Sequence, residues 1–552
     1  MKTKSIISFF LILTISLGVQ TSAQAWHSKL YSENWKPGFK DAEGHFLHDF
    51  SYAGYHSGLK EIPTVTMNIL NVTLPPYNVD NTGKEDVTET LQKAINELTR
   101  KGGGVLYLPA GEYLTSVEDD DEMGLRIFSS NIVIRGDGPD KTFIKNTSYM
   151  MRGKTLIRFF SRNGKWDKAT DKEVKLSADV LLPTQIIPLE DVSSFKVGDY
   201  IILKHDVTDD FRKEHKVGDN WDKVTKGTHF YRQITAVNAN NKTIEIDVPT
   251  RYYLKKRDNA RVYIARPQIS ECGVENLSIG NVQHPNPDGW TEPDWNIQGK
   301  GHYDVHRSHL LEFINATDCW VRNVHTYKPQ ENKDNIHVLS NCLVLTQCRF
   351  ITVQDCDFRN TQGKGGGGNG YLYTLGSNEC LIRDCYAENG RHHFSFKGMS
   401  ANGNVIYNCY SKDSYLPSDF HMYLSMANLF DGFKADGDYI SAKFRPWGFA
   451  KGIHMYSTTE TVMWNTQGLK LHPRVDHLIY SQQYGNGYVI GTSGVLSKVL
   501  TQPVVGEDRG IQFDTTPEDW VEGEGKGETL VPQSLYISQL EKRKIREQIT
   551  KK

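Results

Sequence analysis

The chain lacks a net charge of either sign and, beyond its first residues, lacks any long hydrophobic run. Its 64 Lys and Arg residues face 66 Asp and Glu, a balance that argues against a general nucleic-acid binder, whose domain carries a basic excess. No later segment approaches the roughly 20 apolar residues of a membrane-spanning helix. We therefore expect no nucleic-acid partner and no membrane insertion.

The first residues carry the one apolar run. Lys2 and Lys4 precede an apolar stretch over residues 6–19, and Ala23-Gln24-Ala25 supplies the small residues that a signal peptidase requires. This order is typical of a secretory signal peptide, with cleavage expected before Trp26. The sequence thus predicts an exported protein, periplasmic or secreted.

Cysteine is absent from the first 271 residues and from all positions after Cys409. Export permits disulfides, but all eight cysteines fall between Cys272 and Cys409, and several recur in one short sequence pattern. A chain of this length can bury a hydrophobic core large enough to be stable without disulfide bonds. We interpret these cysteines as buried core residues.

The pattern is a tetrapeptide made of an aliphatic residue, any residue, Asn or Asp, and a small or medium apolar residue. It occurs as Val274-Glu275-Asn276-Leu277, Val321-Arg322-Asn323-Val324, Val353-Gln354-Asp355-Cys356, Ile382-Arg383-Asp384-Cys385 and Ile406-Tyr407-Asn408-Cys409. Irregular spacings of this size indicate the coils of a β-solenoid with loops inserted at its corners. The Asn or Asp is expected at a turn, and the fourth residues are expected to stack inside as a ladder.

A second stretch, from Tyr77 to Tyr113, combines an amphipathic helix with a glycine-marked strand. Val87, Leu91 and Leu98 lie at helical spacing, and Gly102-Gly103-Gly104-Val105-Leu106-Tyr107-Leu108-Pro109-Ala110-Gly111-Glu112-Tyr113 follows. This stretch resembles the opening of the pectate-lyase-like β-helix superfamily. The resemblance implies an all-β, right-handed parallel β-helix with an N-terminal capping helix.

Two further segments complete the predicted organisation. Short strands between residues 155 and 266 interrupt the repeat and suggest a small inserted β-barrel-like domain, and residues after 530 are expected to close the solenoid. The predicted divisions are a signal peptide 1–25, an N-terminal extension 26–70, the β-helix start with its capping helix 71–154, the inserted domain 155–266, the β-helix carrying the active site 267–530, and a C-terminal closing helix 531–552.

Catalytic groups of a β-solenoid must lie on its outer face or corner loops, because inward residues form the core. A uronic acid chain can be cut by β-elimination, which requires a neutraliser of the carboxylate, a base and an acid. We assign Arg391 and Asn369 as neutralisers and His393 as the base, with His392 or Lys397 as alternatives. The acid candidates are Tyr423 and His421.

Strand alternation favours His393 over His392. Phe394 and Phe396 share one parity and are expected inside, which places His393 and Lys397 on the outer face. Further side chains in the same region are predicted to bind substrate: Tyr371, His392, His454, Tyr456, His302, Trp295, Lys470 and His472.

No His or Cys set has zinc-ligand spacing, so no metal site and no cofactor are expected, with calcium as an alternative. The whole chain from about residue 70 to 545 is similar to secreted polysaccharide lyases of gut Bacteroidetes, closest to those acting on chondroitin, dermatan and hyaluronan. That resemblance implies a monomeric lyase acting on an acidic polysaccharide.

Two other functions remain open from the sequence. A glycoside hydrolase on the same fold would need two carboxylates, for which Asp419, Asp431 and Glu388 are candidates. A non-catalytic carbohydrate-binding solenoid would keep the aromatic residues but would not depend on His393, Arg391 or Tyr423.

Overall fold

The computed structural model describes residues 24–170, 172–445, 454–502 and 518–550. The predicted signal peptide falls almost wholly on residues 1–23, which lie outside the described residues. In the described ranges the chain is mostly strands that pair in parallel and wind into a β-helix, which confirms the predicted fold class.

The α-helices are α1 Thr88–Arg100, α2 Asp209–Glu214, α3 Trp221–Val224, α4 Gly301–Asp304 and α5 Leu535–Thr550. The first strands are β1 Ile69–Asn71, β2 Thr82–Asp86, β3 Gly104–Leu108, β4 Gly111–Thr115, β5 Met123–Ile127, β6 Ile132–Gly136, β7 Thr142–Asn146, β8 Thr155–Phe160, β9 Val174–Lys175, β10 Ile186–Pro188, β11 Tyr200–Lys204, β12 Phe230–Asn238, β13 Thr243–Ile246 and β14 Arg261–Ile264.

The strands that follow are β15 Ile269–Ser270, β16 Gly273–Asn281, β17 His309–Ile314, β18 Ala316–Thr317, β19 Trp320–Thr326, β20 Asn341–Arg349, β21 Thr352–Gln354, β22 Asp357–Arg359, β23 Tyr371–Asn378, β24 Leu381–Arg383, β25 Tyr386–Glu388, β26 His392–Phe396, β27 Val405–Tyr407 and β28 Tyr410–Lys412. The last are β29 Ser418–Phe420, β30 Ser425–Met426, β31 Leu429–Asp431, β32 Lys434–Asp436, β33 Ile440–Ala442, β34 Thr458–Thr459, β35 Val462–Lys470, β36 Ile479–Ser481, β37 Tyr488–Gly494, β38 Val499–Leu500 and β39 Trp520–Glu522.

The tetrapeptide repeat marks successive rungs of one sheet. The aliphatic first residues pair in register from rung to rung, with Val274 opposite Val321, Val321 opposite Val353, and Val353 opposite Ile382. The Asn or Asp of each repeat has a left-handed backbone, with φ between 50° and 56°, a conformation that Asn and Asp adopt more readily than most residues. These residues bend each rung, as the repeat predicted.

The fourth residues of the repeat form the predicted interior ladder. Leu277, Val324, Cys356, Cys385 and Cys409 are each at most 2% exposed. All eight cysteines are buried and unpaired. The cysteines therefore act as small apolar core residues, as expected from their placement.

The helix α1 covers the open start of the solenoid. Leu91, Ala94, Ile95 and Leu98 are buried and join the interior hydrophobic cluster that continues through the later rungs. By burying these side chains, α1 covers the end of the solenoid that would otherwise be exposed. The predicted capping helix is confirmed.

The inserted domain is a small antiparallel barrel, which we call the inserted barrel and define as β9–β14. Its strands pair in the order β10-β13-β12-β11-β14-β9, and the two outer strands meet through hydrogen bonds from Ser177 N to Pro188 O and from Glu190 N to Lys175 O. The strand β8 pairs with β5 and β17 of the solenoid. The insertion thus begins after Phe160, later than the predicted boundary at Thr155.

A buried cluster of ions joins the inserted barrel to the solenoid. The carboxylate of Glu379 accepts hydrogen bonds from Arg232 and Arg251 of the barrel, and all three side chains are fully buried. Breaking such a pair leaves an uncompensated charge in the interior, which is strongly destabilising. The barrel is therefore firmly docked on the solenoid.

The helix α5 lies against the flank of the solenoid. Leu535, Tyr536 and Leu540 pack with residues at the starts of successive rungs, including Leu381 and Val405. The prediction that this segment closes the C-terminal end of the solenoid is therefore wrong: the helix covers outward apolar side chains of one sheet. Among the described residues, no helix has the length and apolar character needed to span a bilayer.

Candidate active site

A groove of about 480 Å³ runs along the outer face of the sheet formed by β17, β20, β23 and β26. Its floor carries side chains of those strands, one wall carries Arg307 and Gly368, and the other wall is the barrel segment 225–229. His229 anchors that wall, because its carbonyl accepts from Asn378 Nδ2 at 3.2 Å. The inserted barrel thus shapes the groove.

An imidazole and a carboxylate meet the phenol of Tyr371, which lines the groove. Asp419 Oδ2 lies 3.0 Å from His421 Nδ1, and the Tyr371 hydroxyl lies 3.3 and 3.4 Å from the two ring nitrogens of His421. An imidazole that donates from Nδ1 to a carboxylate keeps Nε2 as an acceptor. The pair Asp419–His421 has the arrangement of an oriented general base.

Two arginines surround this cluster. Arg445 Nη2 donates to Asp419 Oδ2 at 2.8 Å, and Arg391 Nη1 donates to the Tyr371 hydroxyl at 3.4 Å. Ser395 Oγ donates to the other Asp419 oxygen at 2.7 Å. The carboxylate is therefore fixed by three elements of the fold.

The electrostatic environment keeps His421 neutral. Burial lowers the pKa of His421 below its ordinary value, against the opposing effect of Asp419. Although burial alone would raise it, the pKa of Asp419 lies well below its ordinary range because the hydrogen bond from His421 and the charge of Arg445 favour the carboxylate. Burial raises the pKa of Tyr371. At neutral pH the site therefore holds a neutral imidazole, a carboxylate and a protonated phenol.

His392 faces this cluster as well. Its ring stacks on Tyr371 with centroids 4.9 Å apart, its Nδ1 lies 2.7 Å from the Pro417 carbonyl, and burial lowers its pKa to about 3. Ligand atoms of His392, Asp419 and His421 lie within 4.8 Å of one another, a donor set that could hold a cation. No spacing in the sequence indicated this set, because His392 and the other two residues come from different strands.

Lys397 provides a positive charge in the groove. It is half-buried and lines the cavity, and burial together with the nearby Arg307 lowers its pKa. Two cations in one groove attract an anionic chain. Lys397 and Arg307 are therefore residues of the groove that could bind an anionic group.

Tyr423 lines the same cavity from an unusual backbone. Met422, Tyr423 and Leu424 have consecutive left-handed φ values of 64°, 59° and 47°, which cost free energy in residues with a side chain. Leu424 packs into the core shared with the inserted barrel, and Trp221 contacts Tyr423 edge-on with centroids 6.2 Å apart. The barrel contacts hold Tyr423 at the groove.

The predicted orientation of His393 is wrong. His393 is fully buried, its Nδ1 lies 2.6 Å from Ser411 Oγ, and its Nε2 accepts from Gly390 N at 2.9 Å. Both nitrogens are thus engaged inside the solenoid, and it is His392 that faces the outer cluster. The parity argument failed because alternation does not hold at the start of this strand, next to a corner.

Asn369 also departs from its predicted role as a neutraliser. Its Oδ1 accepts from Arg307 N at 3.0 Å and Ser340 Oγ at 3.1 Å, while its Nδ2 donates to Gly365 O. The fully buried amide therefore ties loops together.

The other predicted binding residues fall into two groups. His454 lies beside His421, with ring centroids 5.8 Å apart. The rest lie outside the lining of the groove: Tyr456 contacts Phe444 with its ring tilted, His302 contacts the Thr291 carbonyl, Trp295 stacks on His306, Lys470 pairs with Asp413, and His472 contacts the Ser414 carbonyl.

Several groove residues were missed by the sequence reasoning. Arg307, His309, Glu312 and His229 line the cavity, but they lie on loops or strands with no repeated motif. Arg445 comes from a loop far along the chain. Asp419 could have been recognised from the sequence as a partner of His421, because it lies two residues before it in an Asp-Phe-His sequence.

Comparison with known proteins supports the fold of the first rungs. Residues 69–172 match the family described as rhamnogalacturonase A/epimerase, pectate lyase-like. Alginate lyase 7 of Azotobacter vinelandii is 41% identical over 69 residues, which are 12% of this chain and 8% of that protein. Mannuronan C5-epimerase AlgE3 of the same organism is 41% identical over 63 residues, 11% of this chain and 3% of that protein.

The chain thus spans less than a tenth of these curated relatives. Among solved structures, the AlgE4 A-module of A. vinelandii has a TM-score of 0.27 at 11% identity, covering 83% of this chain and 100% of that one. The Gp54 tailspike of Acinetobacter baumannii bacteriophage AP22, solved with a capsular saccharide, has a TM-score of 0.39 at 11% identity, covering 89% and 72%.

Proposed function

We propose that this protein depolymerises a uronic-acid-containing polysaccharide by β-elimination, with His421 as the base. The proposal depends on one observation: His421, oriented by Asp419, contacts the hydroxyl of Tyr371, a residue that lines a groove together with Lys397 and Arg307. Similarity to an alginate lyase and to mannuronan epimerases supports action on a uronate polymer.

The proton on C5 of a uronate is weakly acidic unless the adjacent carboxylate is neutralised. Lys397 and Arg307 are placed to supply this charge. The lowered pKa of His421 keeps its imidazole neutral at neutral pH, the form that can accept a proton as a base. His421 removes the C5 proton, and the developing negative charge is spread onto the neutralised carboxylate.

Departure of the glycosidic oxygen completes the reaction. The electron pair left at C5 forms a double bond to C4, the bond from C4 to oxygen breaks, and the Tyr371 hydroxyl gives its proton to that oxygen. Arg391, which donates to the Tyr371 oxygen at 3.4 Å, stabilises the phenolate that results. Proton and electron counts balance without a cofactor.

The hydrolase alternative is disfavoured by the positions of the carboxylates. Asp419 is held by Arg445 and Ser395, Asp431 accepts from Ser534 Oγ and Tyr536 N near α5, and Glu388 pairs with arginine and lysine on another sheet. Glu312 is the single carboxylate among the described residues that line the groove. A hydrolase would need two across the scissile bond.

We further propose that the substrate is a glycosaminoglycan and that the protein acts as an exported monomer without a metal. The substrate class and the export are supported by the resemblance to secreted glycosaminoglycan lyases and by the signal-like first residues. Against a divalent cation at the His392, Asp419 and His421 donor set stands Arg445, which already occupies Asp419 Oδ2.

The test is a substrate panel of chondroitin, dermatan, hyaluronan, alginate and pectate, followed by the ultraviolet absorbance of the new double bond. We expect unsaturated product from at least one glycosaminoglycan, unchanged by a chelator. No unsaturated product from any polymer would refute the proposal. Deuterium uptake at C5 from heavy water, in a polymer left intact, would indicate epimerisation and refute elimination.

The same assay with a chelator tests whether Lys397 and Arg307, rather than a calcium ion, offset the charge of the substrate carboxylate. Loss of activity in chelator, restored by calcium, would contradict the assignment of Lys397 and Arg307 as the charges that offset the carboxylate. Preference for alginate or pectate over every glycosaminoglycan would keep the elimination and reject the proposed substrate class.

A further inference from the structure

We infer that the groove contains a distal sugar-binding subsite, formed by His309, Glu312 and Arg158, which binds hydroxyl groups of the same polysaccharide chain some distance from the bond that is cut. The subsite would make the protein act on the interior of chains. This inference rests on the proposed function, because it concerns the substrate of that site.

The pairing register of the strands that form the groove floor gives the distance between Glu312 and Asp419. Arg158 pairs with Glu312, and the pairing continues through Val344, Thr374 and Ser395 to Asp419. Glu312 is thus four rungs from Asp419, or roughly 19 Å at a strand spacing of about 4.8 Å. An extended sugar chain advances by about one unit per rung, so roughly four units would span this length.

The two ends belong to one continuous cavity. His309 and Glu312 line it together with Tyr371, Lys397 and Tyr423. Between the ends, the floor is formed by small or uncharged residues such as Val344, Thr346 and Thr374. A sugar chain can therefore lie along this stretch of the floor without meeting a charged side chain.

The distal end offers polar atoms that the fold does not use. Both hydrogen bonds that Glu312 makes with described residues, from Arg158 Nε at 2.7 Å and Thr155 Oγ1 at 3.0 Å, are accepted by Oε2. His309 Nδ1 is buried and has no hydrogen-bond partner among the described residues. The second carboxylate oxygen of Glu312 can bind a sugar hydroxyl, and the His309 ring lines the cavity beside it.

The charge at this end differs from that at the active site. Glu312 is neutralised by Arg158, so the pair neither attracts nor repels an anionic chain strongly. Lys397 and Arg307 are positive charges that line the same groove. The distal subsite therefore selects hydroxyl groups of a sugar ring, whereas these two cations select the uronate carboxylate.

The experiment measures kcat and KM against a series of size-defined oligosaccharides of the polymer that wild type cleaves. Glu312→Gln is expected to raise KM about tenfold for chains long enough to reach the subsite, the loss typical of a hydrogen bond to a charged group. Its kcat and its KM for chains shorter than the four-rung span should match wild type. Wild type should also release products of mixed sizes early in the reaction.

Glu388→Gln is the matched control, because Glu388 also pairs with an arginine but lies on another sheet. His309→Gln is a second variant if Glu312→Gln does not fold, with the same KM pattern expected. An equal change for short and long chains, or no change for either, would overturn the subsite while leaving the elimination intact. Absence of product from wild type would instead overturn the proposed function.

Discussion

The carboxylate of Asp419 holds the imidazole of His421, with Oδ2 3.0 Å from Nδ1, and the same oxygen accepts from Arg445 Nη2 at 2.8 Å. Two residues that are close in sequence thus form a base with a fixed tautomer, and a third from a distant loop fixes the carboxylate. This relationship is the centre of the proposed mechanism.

Replacement of Asp419 by Asn should disable the base without removing it. The amide can no longer hold the proton on His421 Nδ1, so we expect kcat to fall by roughly two to four orders of magnitude. The pH profile of kcat/KM provides a second measurement. The lowered pKa of His421 predicts that wild-type activity declines only below about pH 6.5, the ordinary value for histidine.

Loss of the carboxylate removes the interaction that raises the pKa of His421. The acid limb of Asp419→Asn should therefore lie at a lower pH than that of wild type. An acid limb at alkaline pH in wild type would contradict the assignment and would indicate Lys397 as the base.

His393→Gln separates an interior histidine from a catalytic one. Since His393 is engaged by Ser411 and Gly390 inside the solenoid, the variant should lose roughly 1–3 kcal/mol of unfolding free energy. The folded enzyme should keep its kcat. Turnover abolished at an unchanged melting temperature would show that His393 takes part in the reaction.

Glu379→Gln tests the docking of the inserted barrel. Removing the charge leaves Arg232 and Arg251 uncompensated in the interior, and we expect a loss of about 3–5 kcal/mol in urea unfolding. Because the barrel segment 225–229 forms a wall of the groove, KM should rise as well. A loss below about 1 kcal/mol would show that the ions do not hold the barrel.

Asp431 predicts a pH-dependent stability that is independent of catalysis. Burial raises its pKa to about 7, so the folded state binds a proton that the unfolded state has released. Stability contributed by this proton is lost as the pH rises from about 4 to about 7. Asp431→Asn removes this loss.

The variant should therefore gain stability relative to wild type across that interval, on the order of a few kcal/mol at its upper end. Thermal unfolding at several pH values measures the difference. Asp436→Asn, on the neighbouring strand β32, is the control. A constant difference between Asp431→Asn and wild type at all pH values would contradict the raised pKa.

The fold could be predicted from the sequence because its determinants are periodic. Val274, Val321 and Val353 repeat with an Asn or Asp two positions later, and the same local conformation at each rung imposes the same residue types. The capping helix is likewise encoded by a local apolar pattern. The position of α5 was not predictable, because the sequence of the helix does not specify which surface of the solenoid it packs against.

The candidate site was predicted only in part. His392, Lys397, His421 and Tyr371 do converge, because neighbouring rungs stack equivalent positions. The orientation of His393 could not be read from alternation, since its strand begins at a corner. Arg307 and Arg445 reach the site from loops whose paths no periodic pattern specifies.

The most direct test is the rate at which His421→Gln forms unsaturated product, compared with wild type on the polymer that wild type cleaves best. The mechanism predicts a fall of at least roughly 10²-fold in kcat with an unchanged melting temperature, as expected on loss of a general base. A folded variant that turns over at the wild-type rate would contradict it.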